Sequence, residues 1–164
     1  VKPLFAYGTL RDAAWREAIL GAAYPARPAT LPGYRRVANA SGYLSLRATP
    51  ESDARATGVL IELDALGWRI ADAWEDAAVT YSGPTADAAR AEVVLYDRID
   101  VVADTAGEPV EAVAYVCADD AGAPVDDDRL ALRPDAEVAA AIASFEPHMR
   151  AMRAMRERSE SPAG

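Results

Sequence analysis

The chain is 164 residues long and 51% apolar, but 38 of those apolar residues are alanine. An alanine side chain buries little area, so the fold must rest on the few large apolar groups that remain. Leucine, valine, isoleucine, methionine and the aromatics together are enough for one modest core, not for two. The length is that of one domain able to bury such a core without staples. A single unit over residues 1–158 is expected, closed by a C-terminal helix at 135–158 and followed by a flexible tail at 159–164.

Charge and cysteine content remove several function classes. A net charge of -9 and a pI near 4.6 leave no basic surface for nucleic acid or anionic lipid. The lone Cys117 excludes an intramolecular disulfide framework and any multi-cysteine zinc site. No apolar run approaches the roughly 18–20 residues of a membrane span, and no basic, cleavable leader is visible. A cytoplasmic protein is therefore expected. One lysine, Lys2, among 17 basic residues, with the alanine excess, points to a GC-rich bacterial source.

Local patterns predict an α+β fold. Lys2–Tyr7 reads as a strand stopped by Gly8, and Asp12 as the N-cap of a helix carrying Trp15, Ala18 and Ile19 up to Gly21. Between Pro25 and Pro50, Pro28, Pro32, Gly33 and Gly42 punctuate short strands and turns. Residues 57–63 form a strand, after which Asp64 caps a helix with Leu66, Ile70 and Trp74 on one face. Residues 77–91 lack periodicity and read as an excursion. Val93–Ala103 and Glu108–Cys117 are strand-like and flank a hairpin signal at Asp104–Gly107. The acidic stretch Asp119–Asp128 is expected to be a solvated loop. In the last helix, Val138, Ile142, Phe145, Met149 and Met152 make a stripe that either covers the domain itself, the preferred reading, or docks on a second copy. Pro147 is expected to kink this helix unless a new turn starts there.

Few residues carry chemistry by pattern. There is no dinucleotide or Walker glycine loop and no Gly-x-Ser-x-Gly elbow. The one histidine, His148, precludes a two-histidine zinc motif and reads as a rim residue, while Cys117 reads as a small buried hydrophobe. Two features stand out. At Tyr7-Gly8-Thr9-Leu10-Arg11 a strand meets a tight turn, and the N–H groups of Thr9, Leu10 and Arg11 are expected to point at an anion or a polarised carbonyl. Glu75 follows Trp74 at a helix end, where a carboxylate against an indole loses solvation and can serve as a base.

Phe5-Ala6-Tyr7-Gly8-Thr9-Leu10-Arg11 resembles the signature of the gamma-glutamyl cyclotransferase-like family, whose first strand ends in Tyr-Gly-Ser/Thr-Leu-Arg. Further motifs follow in the family's order: Leu31-Pro32-Gly33-Tyr34, Thr57-Gly58-Val59-Leu60, Ala71-Asp72-Ala73-Trp74-Glu75, Tyr96-Asp97-Arg98-Ile99-Asp100-Val101 and Ala112-Val113-Ala114-Tyr115-Val116. The resemblance spans residues 4–117 and implies a small mixed β-barrel with flanking helices. It also implies release of 5-oxoproline and an amine or amino acid from a γ-glutamyl compound, without metal or cofactor. Glu75 would be the general acid/base, and Tyr7, Gly8, Thr9 and Leu10 would hold the glutamyl part through backbone and side-chain groups.

Four departures from the family pattern are visible. Trp74 replaces a tyrosine, and Asp76 replaces a glycine, setting a second negative charge beside Glu75 that favours its protonated form. The stretch from Asp76 to Leu95 is longer than usual and is a candidate lid, and Gly42-Tyr43-Leu44 lacks the customary proline. The expected partner is thus a small γ-glutamyl substrate, bound by a monomer or homodimer, with Arg11 helping to hold its carboxylate. The acidic field suggests a cationic leaving amine. The rival reading is a binding or accessory protein that kept the fold but not turnover.

Overall fold

The computed structural model of the protein describes residues 1–40, 42–75, 96–117 and 122–161. Strand β1 (Leu4–Ala6) leads through a 3-10 turn (Thr9–Arg11) into helix α1 (Ala13–Leu20). Four strands follow, β2 (Ala26–Pro32), β3 (Tyr34–Ala38), β4 (Leu44–Ala48) and β5 (Arg55–Ile61), then helix α2 (Ala65–Trp74). The hairpin of β6 (Tyr96–Thr105) and β7 (Glu108–Cys117) precedes the long helix α3 (Asp135–Glu160). Five strands close into a barrel in the order β1-β5-β2-β6-β7, while β3 and β4 form a separate two-stranded sheet.

The local signals act as their chemistry requires. The Asp12 carboxylate accepts from the Trp15 N–H at 2.9 Å, and Gly21 ends α1 in the left-handed region at φ 71°. Asp64 caps α2 by accepting from Gly67 N–H at 2.7 Å. The β6–β7 hairpin turns at Ala106 and Gly107, both at positive φ, with the Gly107 N–H donating to Asp104 at 3.0 Å. The helix expected at the C-terminus runs from Asp135 straight through Pro147 as one element. Its stripe covers the domain itself: Val138, Ile142 and Met149 are buried in one cluster with Ile19 and Leu20 of α1 and Ile70 of α2. The excursion and candidate lid expected between Asp76 and Leu95 lie outside the described residues.

The expectation of a single core is corrected. Two buried clusters exist, one inside the barrel and one between its outer wall and the three helices. The interior of a five-stranded barrel is narrow, and Ala29, Ala56, Ala103, Ala112 and Ala114 fill it around Phe5, Tyr7, Leu31 and Leu60. Large side chains are thereby spared for the outer cluster, where Trp68, Tyr115, Leu66 and Ile70 pack. The alanine excess is in this sense a geometric requirement of the barrel.

Gly58 marks the tightest point of that interior. A Cβ added there would lie 2.5 Å from the Ala6 carbonyl oxygen and 2.6 Å from the Phe5 ring. Gly58→Ala is therefore expected to lose about 1–3 kcal/mol to overpacking, more than the roughly 0.4–1 kcal/mol gained by stiffening the unfolded chain. Urea unfolding checks this, and a variant as stable as the parent would refute it.

Candidate active site

The end of β1 and the end of α2 converge. Glu75 closes α2, its N–H donating to the Ala71 carbonyl at 2.9 Å, and its half-buried side chain lines two adjoining hollows. The smaller, about 30 Å³, lies against the β1 end and is lined by Tyr7, Gly8, Thr9, Leu10, Glu75 and Tyr115 among others. The larger, about 280 Å³, opens between α2 and α3 beside Trp74, Leu44, Leu130, Leu132 and Val138. Thr9 and Glu75 border both, so the two expected features meet at one point. Trp74 ties them together, its indole N–H donating to the Thr9 hydroxyl at 3.3 Å while its ring meets Phe145 of α3 edge-on at 5.4 Å.

Within the loop the expected roles divide. The Tyr7 side chain is buried in the barrel with its hydroxyl donating to the Tyr115 carbonyl, and Leu10 is 2% exposed. For both residues, therefore, only the backbone is available to a ligand. The Arg11 N–H is also spoken for, donating to the Gly8 carbonyl at 3.0 Å. The N–H groups of Thr9 and Leu10 have no hydrogen-bond partner among the described residues. Two donors, not three, are thus left without a partner among the described residues in this turn. Arg11 lines neither hollow, which removes the geometric basis for giving it the substrate carboxylate.

A buried polar network holds the helix end in place. Asp72, one turn before Glu75 and 4% exposed, accepts from Arg98 Nε at 2.7 Å and from the Tyr115 hydroxyl at 2.6 Å. Arg98 adds a second hydrogen bond from its terminal nitrogen and lies 4.5 Å over the Trp68 ring. Two of the motifs that appeared separately in the sequence, around Asp72 and around Arg98, are therefore two halves of one contact. Burial, followed by the hydrogen bond to Asp72, pushes the Tyr115 phenol far up. Burial and then the Glu75 charge do the same for Tyr96, and burial, Tyr96 and Glu75 for Tyr7. All three phenols around the site stay protonated at neutral pH and act as donors.

Three further residues shape the site without having been singled out from sequence. Arg36, 5% exposed on β3, donates to the Tyr7 carbonyl at 2.9 Å and the Arg129 carbonyl at 2.6 Å, and also to the Asp127 carbonyl. It ties the Tyr7–Leu10 loop to the segment leading into the larger hollow, through a backbone carbonyl of the acidic stretch whose side chains at Asp126–Asp128 stay exposed. Tyr96 donates to the Leu44 carbonyl at 2.7 Å, and Asn39 accepts the Tyr43 N–H at 2.9 Å, so Tyr43 and Leu44 are fixed where they line the chamber. A buried arginine in a strand is a detectable oddity, but its partners lie 29, 91 and 93 residues away and no local pattern names them. His148 is exposed beside Phe145, and Cys117 is 3% exposed, as their patterns suggested. Among the described residues no cluster of three His, Cys, Asp or Glu side chains is placed to hold a metal ion.

Comparison with known proteins follows the same lines. A family model described as gamma-glutamyl cyclotransferase, AIG2-like, matches residues 4–135. No curated protein matches the sequence. A solution structure from Arabidopsis thaliana is similar at 20% identity and TM-score 0.52, covering 98% of this chain and 85% of that one. A second Arabidopsis thaliana solution structure gives 16% identity and TM-score 0.54 over 99% and 95%. A crystal structure of an uncharacterized Homo sapiens protein gives 12% and 0.54 over 93% and 86%. At these identities the likeness is one of fold.

Proposed function

Because the chain belongs to the AIG2-like gamma-glutamyl cyclotransferase family, we propose that it is a cyclotransferase with Glu75 as its general acid/base. Its reaction would convert a γ-glutamyl amine or amino acid into 5-oxoproline and the free amine. The observation supporting this reading is that Glu75 and the Tyr7–Leu10 loop line one hollow, although they come from opposite ends of the first half of the chain.

The chemistry asks for little more. The substrate's α-ammonium must lose a proton before its nitrogen can attack the γ-carbonyl carbon, and the Glu75 carboxylate accepts that proton. The new C–N bond closes a five-membered ring and leaves a tetrahedral oxyanion, toward which the N–H groups of Thr9 and Leu10 can donate. The protonated Glu75 then gives its proton to the departing nitrogen as the old C–N bond breaks. In total the ammonium loses two protons on becoming a lactam N–H, the first to Glu75 and the second to water. The leaving nitrogen gains one on departure and a second from water to become an ammonium ion. Folding the glutamyl chain so that nitrogen meets carbonyl supplies the orientation term. The hydroxyls of Tyr7, Tyr96 and Tyr115 donate to the Tyr115 carbonyl, the Leu44 carbonyl and Asp72, and they stay protonated in the neutral range, so they brace the walls around Glu75 at working pH.

The direct test offers a panel of γ-glutamyl amines and amino acids and follows 5-oxoproline by mass spectrometry. Release from at least one member is expected. Ligand-induced stabilisation against heat with no 5-oxoproline from any of them would instead identify a binding protein.

A further inference from the structure

The larger hollow adjoins the smaller one at Thr9 and Glu75. Among the described residues Trp74, Leu44, Leu130, Leu132, Val138 and Ala141 face it, and at about 280 Å³ it stands near the low end of the roughly 300–1,000 Å³ range of small-molecule pockets. The charged groups along it among the described residues, Glu75 apart, are Arg133 and Glu137. These pair with each other at 3.3 Å, and Arg133 lies 4.9 Å over the Tyr43 ring. Their charges are opposed and both side chains are about half exposed, so they hold no net charge out to a ligand.

From this we infer that the chamber receives the leaving group, and that this group is an amine with a compact apolar body, alkyl or aryl. The inference rests on the cyclotransferase reading for the identity of the bond that breaks. The shared border supports it: the two substituents of a γ-carbonyl held at Thr9 and Glu75 diverge at the trigonal carbon, so with the glutamyl chain turned toward the β1 loop the leaving nitrogen points into the chamber. The overall acidity of the protein suggested a cationic amine, but the local lining is apolar, and short-range desolvation outweighs a screened, distant field. Glu137, Val138 and Ala141 reach the chamber from α3, beyond the residues 4–135 that the family model matches.

The test uses the full-length protein with γ-glutamyl isoamylamide, γ-glutamyl methylamide and γ-glutamyl putrescine, together with calorimetric titration of the free amines. The isoamylamide is expected to exceed the other two in kcat/KM by at least about tenfold. Isoamylamine is expected to bind more tightly than methylamine or putrescine. Ala141 is on the solvent-exposed part of α3, where a larger side chain reaches the chamber without entering the core. Ala141→Phe should lower the isoamyl-to-methyl ratio of kcat/KM at least tenfold and weaken isoamylamine binding in parallel. Turnover of all three substrates without an apolar preference, with Ala141→Phe leaving the ratio where it was, overturns the chamber assignment and leaves the cyclotransferase reading standing. Binding of isoamylamine that Ala141→Phe abolishes, with no turnover of any γ-glutamyl compound, upholds the chamber and overturns the cyclotransferase reading. Absence of both apolar binding and apolar preference overturns the inference outright.

Discussion

On the proposed mechanism, replacing Glu75 by glutamine is expected to lower 5-oxoproline release by about 10²–10⁴-fold, the usual worth of one positioned proton carrier. Glutamine preserves the size of the side chain but can neither accept the ammonium proton nor return it to the leaving nitrogen. The substitution falls at the end of α2, outside both buried clusters, so the melting temperature should stay within about 2 °C of the parent. The loss belongs in kcat more than in KM, because the proton is in flight only in the transition state. The measurement is kcat and KM on the best substrate of the panel, beside a melt of each protein. Turnover unchanged in Glu75→Gln would remove this residue from the mechanism.

Asp72→Ala is expected to be the most damaging substitution for stability. The carboxylate is 4% exposed and accepts from both Arg98 and Tyr115. Its removal strands a buried phenol and leaves Arg98 without a carboxylate partner among the described residues. Breaking a fully buried ionic contact costs about 3–5 kcal/mol. The Arg98 side chain is 38% exposed, so water recovers part of that and about 3 kcal/mol is expected. For a domain of this size that is roughly a 6–12 °C fall in melting temperature. Asp72→Asn retains an acceptor for Tyr115 and should lose less. A urea series on the three proteins decides the matter: equal midpoints for parent and Asp72→Ala would mean that the network contributes nothing. Because Asp72 lies three residues before Glu75, the alanine variant should also raise KM as the helix end loosens.

The division between what was legible in the sequence and what was not follows the range of the interactions. Asp12, Gly21, Asp64 and the Ala106–Gly107 turn act on neighbours a few residues away, and each was readable from its own surroundings. The barrel and the pairing of Glu75 with the Tyr7–Leu10 loop followed from motif order, which carries family information that no single motif contains. Tyr7 was assigned to the ligand because it sits in the signature. The alternation of β1 sends its ring inward, a detail set by barrel closure and not by the motif. Arg36 and the pairing of Asp72 with Arg98 were hidden because both join segments that only the closed sheet brings together. The chamber escaped for the same reason: its walls come from the β3–β4 turn, the end of α2, residues 130–133 and α3. Two cores were missed because alanine was counted as missing bulk, when a narrow barrel needs residues that small.

The ring of five strands closes through very little. Strand β1 is three residues long and meets β7 at a single register pair, Leu4 with Val113, reinforced by the Val113 N–H donating to the Pro3 carbonyl at 2.9 Å. On the other side it is fastened to β5 by three pairs. Together with the single pair Thr30–Asp104 between β2 and β6, the Leu4–Val113 joint makes a hoop held by two small rivets, and the strand at one of them carries the Tyr7–Leu10 loop at its far end. For anyone building variants of this protein, that makes Pro3 and Leu4 structural parts: a substitution there pulls on the rivet as directly as one in the loop it carries.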